Sequence, residues 1–144
     1  MADHNLPMPE EGAIITVLLI VDDIARSRDF YADVLDGTIV RRDAPAMVKL
    51  YNTWVIINVG GGPTVDKPDV TMAPPADPNT VGIAMNIRVA DVQAMYDAIT
   101  ARGGEFLTPP KELGSEIRCY LRDPDGYLIE FGQTIVSAED LASS

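Results

Sequence analysis

Histidine and cysteine are almost missing from this chain, whose 144 residues hold one of each, His4 and Cys119. A structural zinc site uses about four Cys or His ligands, so zinc-finger and three-histidine centres are excluded. A Ser-His-Asp triad would have to draw on His4, within the first residues, and is discounted. One cysteine forbids an internal disulfide, which fits a reducing compartment. Basic residues are scarce as well: 11 Lys and Arg face 22 Asp and Glu, a formal charge of −11. Binders of nucleic acid or anionic membranes need a basic face, and the pair Arg41-Arg42 is too short to make one. No apolar run approaches the roughly 20 residues of a membrane-spanning helix. Met1–Gly12 has neither the positive start nor the apolar stretch of a secretory leader. The expectation is a cytoplasmic protein with a small-molecule partner, no nucleic acid and no membrane, the acidity favouring a cationic ligand.

What is present is an ordinary globular composition, 47% hydrophobic and 23% charged, enough to bury one sizeable core. Met1–Gly12, with Pro7, Pro9 and Gly12, reads as a flexible tail. Ile14–Val21 is aliphatic except for Thr16 and reads as a buried strand. Asp22 or Asp23 then offers an N-cap to a helix, in which Ile24, Phe30, Tyr31, Val34 and Leu35 fall near one face. Gly37 reads as the left-handed residue that ends it. Thr38–Arg42, Met47–Tyr51 and Trp54–Val59 read as three short strands. Residues 60–80 hold Gly60-Gly61-Gly62 and five prolines, which marks a long loop or linker. The triple glycine lacks the Lys and Ser/Thr of a phosphate-binding loop.

After the linker the pattern returns. Ile83–Val89 is again an aliphatic strand, Asp91 a cap, and Val92, Met95, Tyr96 and Ile99 a helical stripe closed by Gly103-Gly104. Strands are read at Glu105–Leu107, Glu116–Leu121 and Tyr127–Gly132, the last two joined by the turn Asp123-Pro124-Asp125-Gly126. Laying Asp23 on Asp91 superposes caps, stripes and glycines at an offset of 68 residues. A β-α-β-β-β unit used twice is the simplest account. The fold class is α+β, with modules 13–62 and 82–136 joined by linker 63–81, and 137–144 as a C-terminal tail.

The string Val21-Asp22-Asp23-Ile24-Ala25-Arg26-Ser27-Arg28-Asp29-Phe30-Tyr31 with Leu35 and Gly37, and later Asp123-Pro124-Asp125-Gly126-Tyr127-Leu128-Ile129-Glu130-Phe131, resembles the vicinal oxygen chelate superfamily. That group holds glyoxalase I, bleomycin-resistance proteins and extradiol dioxygenases. The resemblance spans Ile14 to Gln133 and implies two βαβββ modules whose curved mixed sheet encloses a cavity, commonly completed in a homodimer. In metal-dependent members the ligands come from the first and last strands of each module. Carried over by position, the first-strand ligands fall on Thr16 and Ala84, where such relatives carry histidine. The last strand of the first module offers Asn58, or Ile57 one place earlier, and that of the second offers Glu130. Three or more imidazole or carboxylate ligands are needed for a catalytic transition metal, so no cofactor is expected and a divalent metal could involve only Glu130.

Alternation puts Leu128 and Glu130 on one strand face and Tyr127, Ile129 and Phe131 on the other. Glu130 reads as a general base or as an anchor for a ligand; otherwise it is a relic carboxylate paired with an arginine such as Arg118. Thr16, Asn58 and Asn86 supply hydrogen-bonding groups to an apolar cavity, or are satisfied by backbone. Trp54 and Tyr120 are candidates to stack on a flat ligand, or are core. Arg118 and Arg122 face either cavity or solvent, and Cys119 reads as a small core residue. Two functions follow: a metal-free, bleomycin-resistance-like protein that sequesters an antibiotic or metabolite, or an enzyme of lyase, isomerase or dioxygenase type that uses Glu130 as base or metal ligand.

Overall fold

The first and last strands of each half pair with one another, in the first half as two aliphatic, β-branched runs. In the computed structural model, which describes residues 5–143, β1 (Val17–Val21) runs parallel to β4 (Thr53–Val59). The sheet continues antiparallel through β3 (Ala46–Leu50) to β2 (Thr38–Arg41), in the order β1-β4-β3-β2. The second sheet repeats this plan. β5 (Met85–Arg88) runs parallel to β8 (Leu128–Thr134), followed by β7 (Glu116–Arg122) and β6 (Lys111–Leu113), in the order β5-β8-β7-β6. The boundary between two compact units falls between Ala76 and Asp77. The α+β fold of two tandem βαβββ modules expected from the 68-residue repeat is therefore the observed one.

Both capping aspartates hold their helices as the sequence pattern requires. Asp23 accepts a hydrogen bond from the Arg26 N–H at 3.1 Å and starts α1 (Ile24–Asp29). Asp91 accepts from the Ala94 N–H at 3.0 Å and starts α2 (Val92–Ala101). Each satisfies one of the amide groups that a helix leaves unpaired at its start. α1 passes into one π-helical turn at Phe30–Val34 and packs on β3 and β4, over Val48, Val55 and Ile57. In the second unit α2 packs on β7 and β8, over Cys119, Leu121, Ile129 and Phe131. Burying each such side chain contributes about 1.5–3 kcal/mol. Alternation along the strands leaves the opposite face of each sheet uncovered by its helix.

Several local expectations change. β1 begins at Val17, not Ile14, its ladder with β4 starting at the pair Val17 and Val55; Ile14 and Ile15 are exposed, and the Ile15 carbonyl accepts from the Thr53 hydroxyl instead. The left-handed residue after the first helix is Asp36, at φ 63°, and not Gly37; Gly103, at φ 97°, does take that role after α2. Glu105–Leu107 makes only an isolated bridge, Phe106 to Leu121, and the edge strand is Lys111–Leu113. The C-terminal stretch read as a tail contains α3 (Ala138–Ser143). At the other end, the Trp54 indole N–H donates to the Asn5 carbonyl at 2.9 Å, whereas His4 lies outside the described residues. Among the described residues no helix is long and apolar enough to cross a membrane.

Candidate functional site

Parity along β5, β8 and β7 selects the residues that share the open face of the second sheet. Cross-strand partners stand side by side, so Asn86, Glu130 and Tyr120 form one row. The next row is Arg88, Gly132, Arg118 and Lys111, and Thr134 and Glu116 follow beyond it. At the other end Arg122 stands beside Leu128.

These rows are tied into one network. Glu130 Oε1 accepts from the Asn86 amide at 3.1 Å and from the Tyr120 hydroxyl at 3.2 Å. Its Oε2 lies 3.6 Å from Arg88 Nη1, and the side chain is only 12% exposed. The same Arg88 Nη1 donates to Glu116 Oε1 at 2.9 Å, while Nη2 donates to Thr134 Oγ1 at 3.0 Å. Arg118 Nη1 donates to Glu116 Oε2 at 3.1 Å. The hydrogen bond from Arg88, with weaker help from Arg118, holds the Glu116 carboxyl below its ordinary 4.5 against the opposing effect of burial. Gly132 makes the arrangement possible. A Cβ there would overlap Arg88 Nη1 and lie 3.0 Å from Glu116 Oε1.

Burial, and then the negative charge and hydrogen bond of Glu130, push the Tyr120 phenol above its ordinary 10.0. Glu130→Gln removes the charge and leaves the burial. The Tyr120 titration, followed by phenolate absorbance, is expected to move back part of the way toward the ordinary value; an unchanged curve would break the link between the two groups. Behind the strand, burial pushes the Cys119 thiol up to about 11, so the only cysteine of the sequence is an inert core group.

The sequence-derived candidates fall into two sets. Asn86, Arg118, Tyr120 and Glu130 are brought together, and Ala84 precedes β5 at an exposed position that offers no side-chain donor. Arg88 reaches Glu130, whereas Arg118 is bonded to Glu116. Thr16, Trp54 and Asn58 belong to the first unit. Thr16 lies just before β1. Asn58 Oδ1 accepts from the Val59 N–H at 2.9 Å, and Lys49 Nζ lies 4.1 Å over the Trp54 ring. On that unit Leu6, Pro7 and Met8 face Val40, Arg41 and Met47 across a cavity of about 230 Å³. Sequence reasoning passed over Arg88, Glu116 and Gly132. Each stands two residues from a chosen one along its strand, so alternation alone could have found them.

The donor set also tests the metal position that the fold implies. Glu130 faces Asn86 across the parallel pair; the same pairing in the first module sets Ile56 opposite Leu18. The first-module counterpart of Glu130 is thus Ile56, not Asn58 or Ile57, and Ile57 is buried on the helix-covered face. Thr16, Ala84, Ile56 and Glu130 contain a single carboxylate, already engaged by three partners, and no imidazole or thiolate. Among the described residues no three His, Cys, Asp or Glu side chains cluster as a metal group. This set does not fit a catalytic transition metal.

Comparison with known proteins agrees with the fold. The profile of the Glyoxalase/Bleomycin resistance protein/Dioxygenase superfamily matches residues 13–131. A lactoylglutathione lyase of Haemophilus influenzae is 31% identical over 123 residues, which span 82% of this chain and 90% of the relative. Among solved structures, a glyoxalase/bleomycin resistance protein/dioxygenase from Nocardioides superposes with a TM-score of 0.71 at 18% identity, over 91% of this chain and 89% of that one. A genomically encoded fosfomycin resistance protein from Listeria monocytogenes gives 0.60 at 15% identity, over 90% and 98%. At such identities the structural likeness concerns the fold alone.

Proposed function

The chain belongs to the glyoxalase/bleomycin resistance protein/dioxygenase superfamily, and from that premise we propose that it binds and sequesters a small organic molecule without a resident metal. The ligand would lie on the open face of the second sheet, in a cytoplasmic homodimer. One observation carries the reading. Glu130, the only carboxylate at the four family ligand positions, has Oε1 bonded to Asn86 and Tyr120 and Oε2 facing Arg88. A general base needs an oxygen free to reach a substrate proton. An engaged carboxylate instead fixes its neighbours, holding the amide of Asn86 and the ring of Tyr120 where they can meet a ligand.

The lactoylglutathione lyase relative supports a second reading, an enzyme acting on a glutathione thioester with Glu130 as base or as a metal ligand. One experiment separates the two. A thermal-shift screen against planar natural products and glutathione thioesters is expected to yield ligands that stabilise the wild type and lose that effect in Tyr120→Phe or Asn86→Ala. None should be turned over by the wild type or by Glu130→Gln. Formation or breakdown of lactoylglutathione by the wild type, abolished in Glu130→Gln, would replace sequestration with catalysis. A stoichiometric transition metal in protein purified without chelator would defeat the metal-free reading.

A further inference from the structure

The whole chain is strongly acidic, but the open face of its second sheet is not. Arg88, Arg118, Arg122 and Lys111 share that face with only two carboxylates, Glu116 and Glu130, in a chain of net charge −11. Four cations against two anions reverse the sign locally. The carboxylates are also spoken for: Glu116 by Arg88 and Arg118, Glu130 by Arg88. Arg122 has no such partner. Its Nη2 donates to the neutral Asn79 carboxamide at 2.6 Å, its Nε is buried without an acceptor, and among the described residues no carboxylate pairs with it. Arg118 Nε is likewise buried and unpaired, with the guanidinium carbon 6.0 Å from the centre of the Tyr120 ring. A guanidinium carries a fixed positive charge and N–H donors that suit an oxyanion, and in Arg122 it is Nη1 that is neither bonded to Asn79 nor buried without an acceptor. Between these two arginines on β7 stands Tyr120, and beside Arg122 stands Leu128, an aromatic ring and an apolar side chain.

We propose that this face binds small molecules that carry an oxyanion, a carboxylate or phosphonate attached to a flat or apolar body, with Arg122 as the principal anion contact and Tyr120 and Leu128 against the body. The proposal rests on the small-molecule reading above and gives it a ligand class of the opposite sign to the one that net charge favours. Local charge outweighs the distant acidic surface for a ligand in contact, because exposed charges beyond about 10 Å are largely screened at ordinary ionic strength.

Phenylphosphonate, benzyl alcohol and benzylammonium share a ring and differ in charge, so they serve as probes. Titrated into ¹⁵N-labelled protein at about 0.1 M salt, phenylphosphonate is expected to shift amides of β7, β8 and Asn79, and to bind about 10-fold more tightly than benzylammonium. Arg122→Gln should remove most of that preference, and Arg122→Lys should keep part of it. The thermal midpoints of both variants identify any loss that comes from misfolding. Phenylphosphonate binding left unchanged by Arg122→Gln in a folded protein overturns the anion site. Benzyl alcohol or benzylammonium bound on this face at least as tightly also overturns it, while leaving the small-molecule reading intact. If none of the three moves an amide of this face and the thermal-shift screen is empty, both fall.

Discussion

Gly37→Ala is expected to cost about 3 kcal/mol, near the top of the range for forcing extra volume into a packed site, and Asp36→Gly less than about 1 kcal/mol. The difference follows from which residue takes the unusual backbone. Asp36 has φ 63° and carries the strain that a side chain meets in the left-handed region. Gly37 is needed for closeness. A Cβ there would lie 2.5 Å from Val48 Cγ1, 2.8 Å from the Tyr31 carbonyl and 3.1 Å from the Lys49 carbonyl. Two of these neighbours are backbone oxygens. The Gly37 N–H donates to the Tyr31 carbonyl at 2.9 Å, and Lys49 is paired with Thr38 in the sheet, so neither can retreat without breaking main-chain bonds. Tyr31, Leu35 and Val48 around it are fully buried. Urea unfolding measures both variants. For a chain of 144 residues, about 3 kcal/mol corresponds to roughly 10 °C in the thermal midpoint. A Gly37→Ala cost below that of Asp36→Gly would return the cap to Gly37.

The same pair shows what could be read from sequence. Gly37 after an apolar helical stripe marks the helix end correctly, because any residue type that breaks the pattern there gives the same signal. Sequence cannot tell a glycine chosen for its dihedral angle from one chosen for lack of a side chain, since the reason lies in Val48 and Lys49, a strand away. The architecture was legible because the two caps, Asp23 and Asp91, and the apolar helical stripes that follow them recur at an offset of 68 residues, and local chemistry makes each cap. Lys111–Leu113 was not legible: it is a three-residue edge strand, exposed throughout, with no apolar alternation to betray it. At the site, alternation placed Glu130 opposite the core residues Ile129 and Phe131. The partners of Glu130 were harder. Arg88 reaches it from β5 across a position left empty by Gly132, and that depends on strand register, which a single strand's pattern does not contain. The register likewise moved the first-module counterpart of Glu130 from Asn58 to Ile56.

Arg88→Ala is expected to be the second most damaging change and to reveal itself through pH. Arg88 bonds Glu116 and Thr134 and faces Glu130, so its loss leaves two partly buried carboxylates on one sheet face, 22% and 12% exposed. Buried charge that loses a partner costs up to several kcal/mol, and here Glu116 keeps Arg118 while Glu130 keeps the hydrogen bonds from Asn86 and Tyr120. Arg88 is itself 43% exposed, and solvent screening reduces the loss to about 2 kcal/mol at neutral pH. The Glu116 carboxyl is held below 4.5, first by Arg88. A carboxyl depressed in the folded state contributes stability that is fully present above its unfolded value and is lost as pH falls through its folded value. The wild type should therefore lose this contribution on acidification below about pH 4.5. Arg88→Ala, lacking the cause of the depression, has less to lose. Urea midpoints of the two proteins should differ most near pH 7 and converge toward pH 3. Arg88→Lys keeps the charge without the fork and should fall between them at neutral pH. A gap of equal size at both pH values would show that Arg88 acts by packing over Gly132 rather than by neutralising Glu116 and Glu130. The charge count that sets the oxyanion site around Arg122 would then have to be redrawn, because Glu116 and Glu130 would no longer be the carboxylates that Arg88 removes from it.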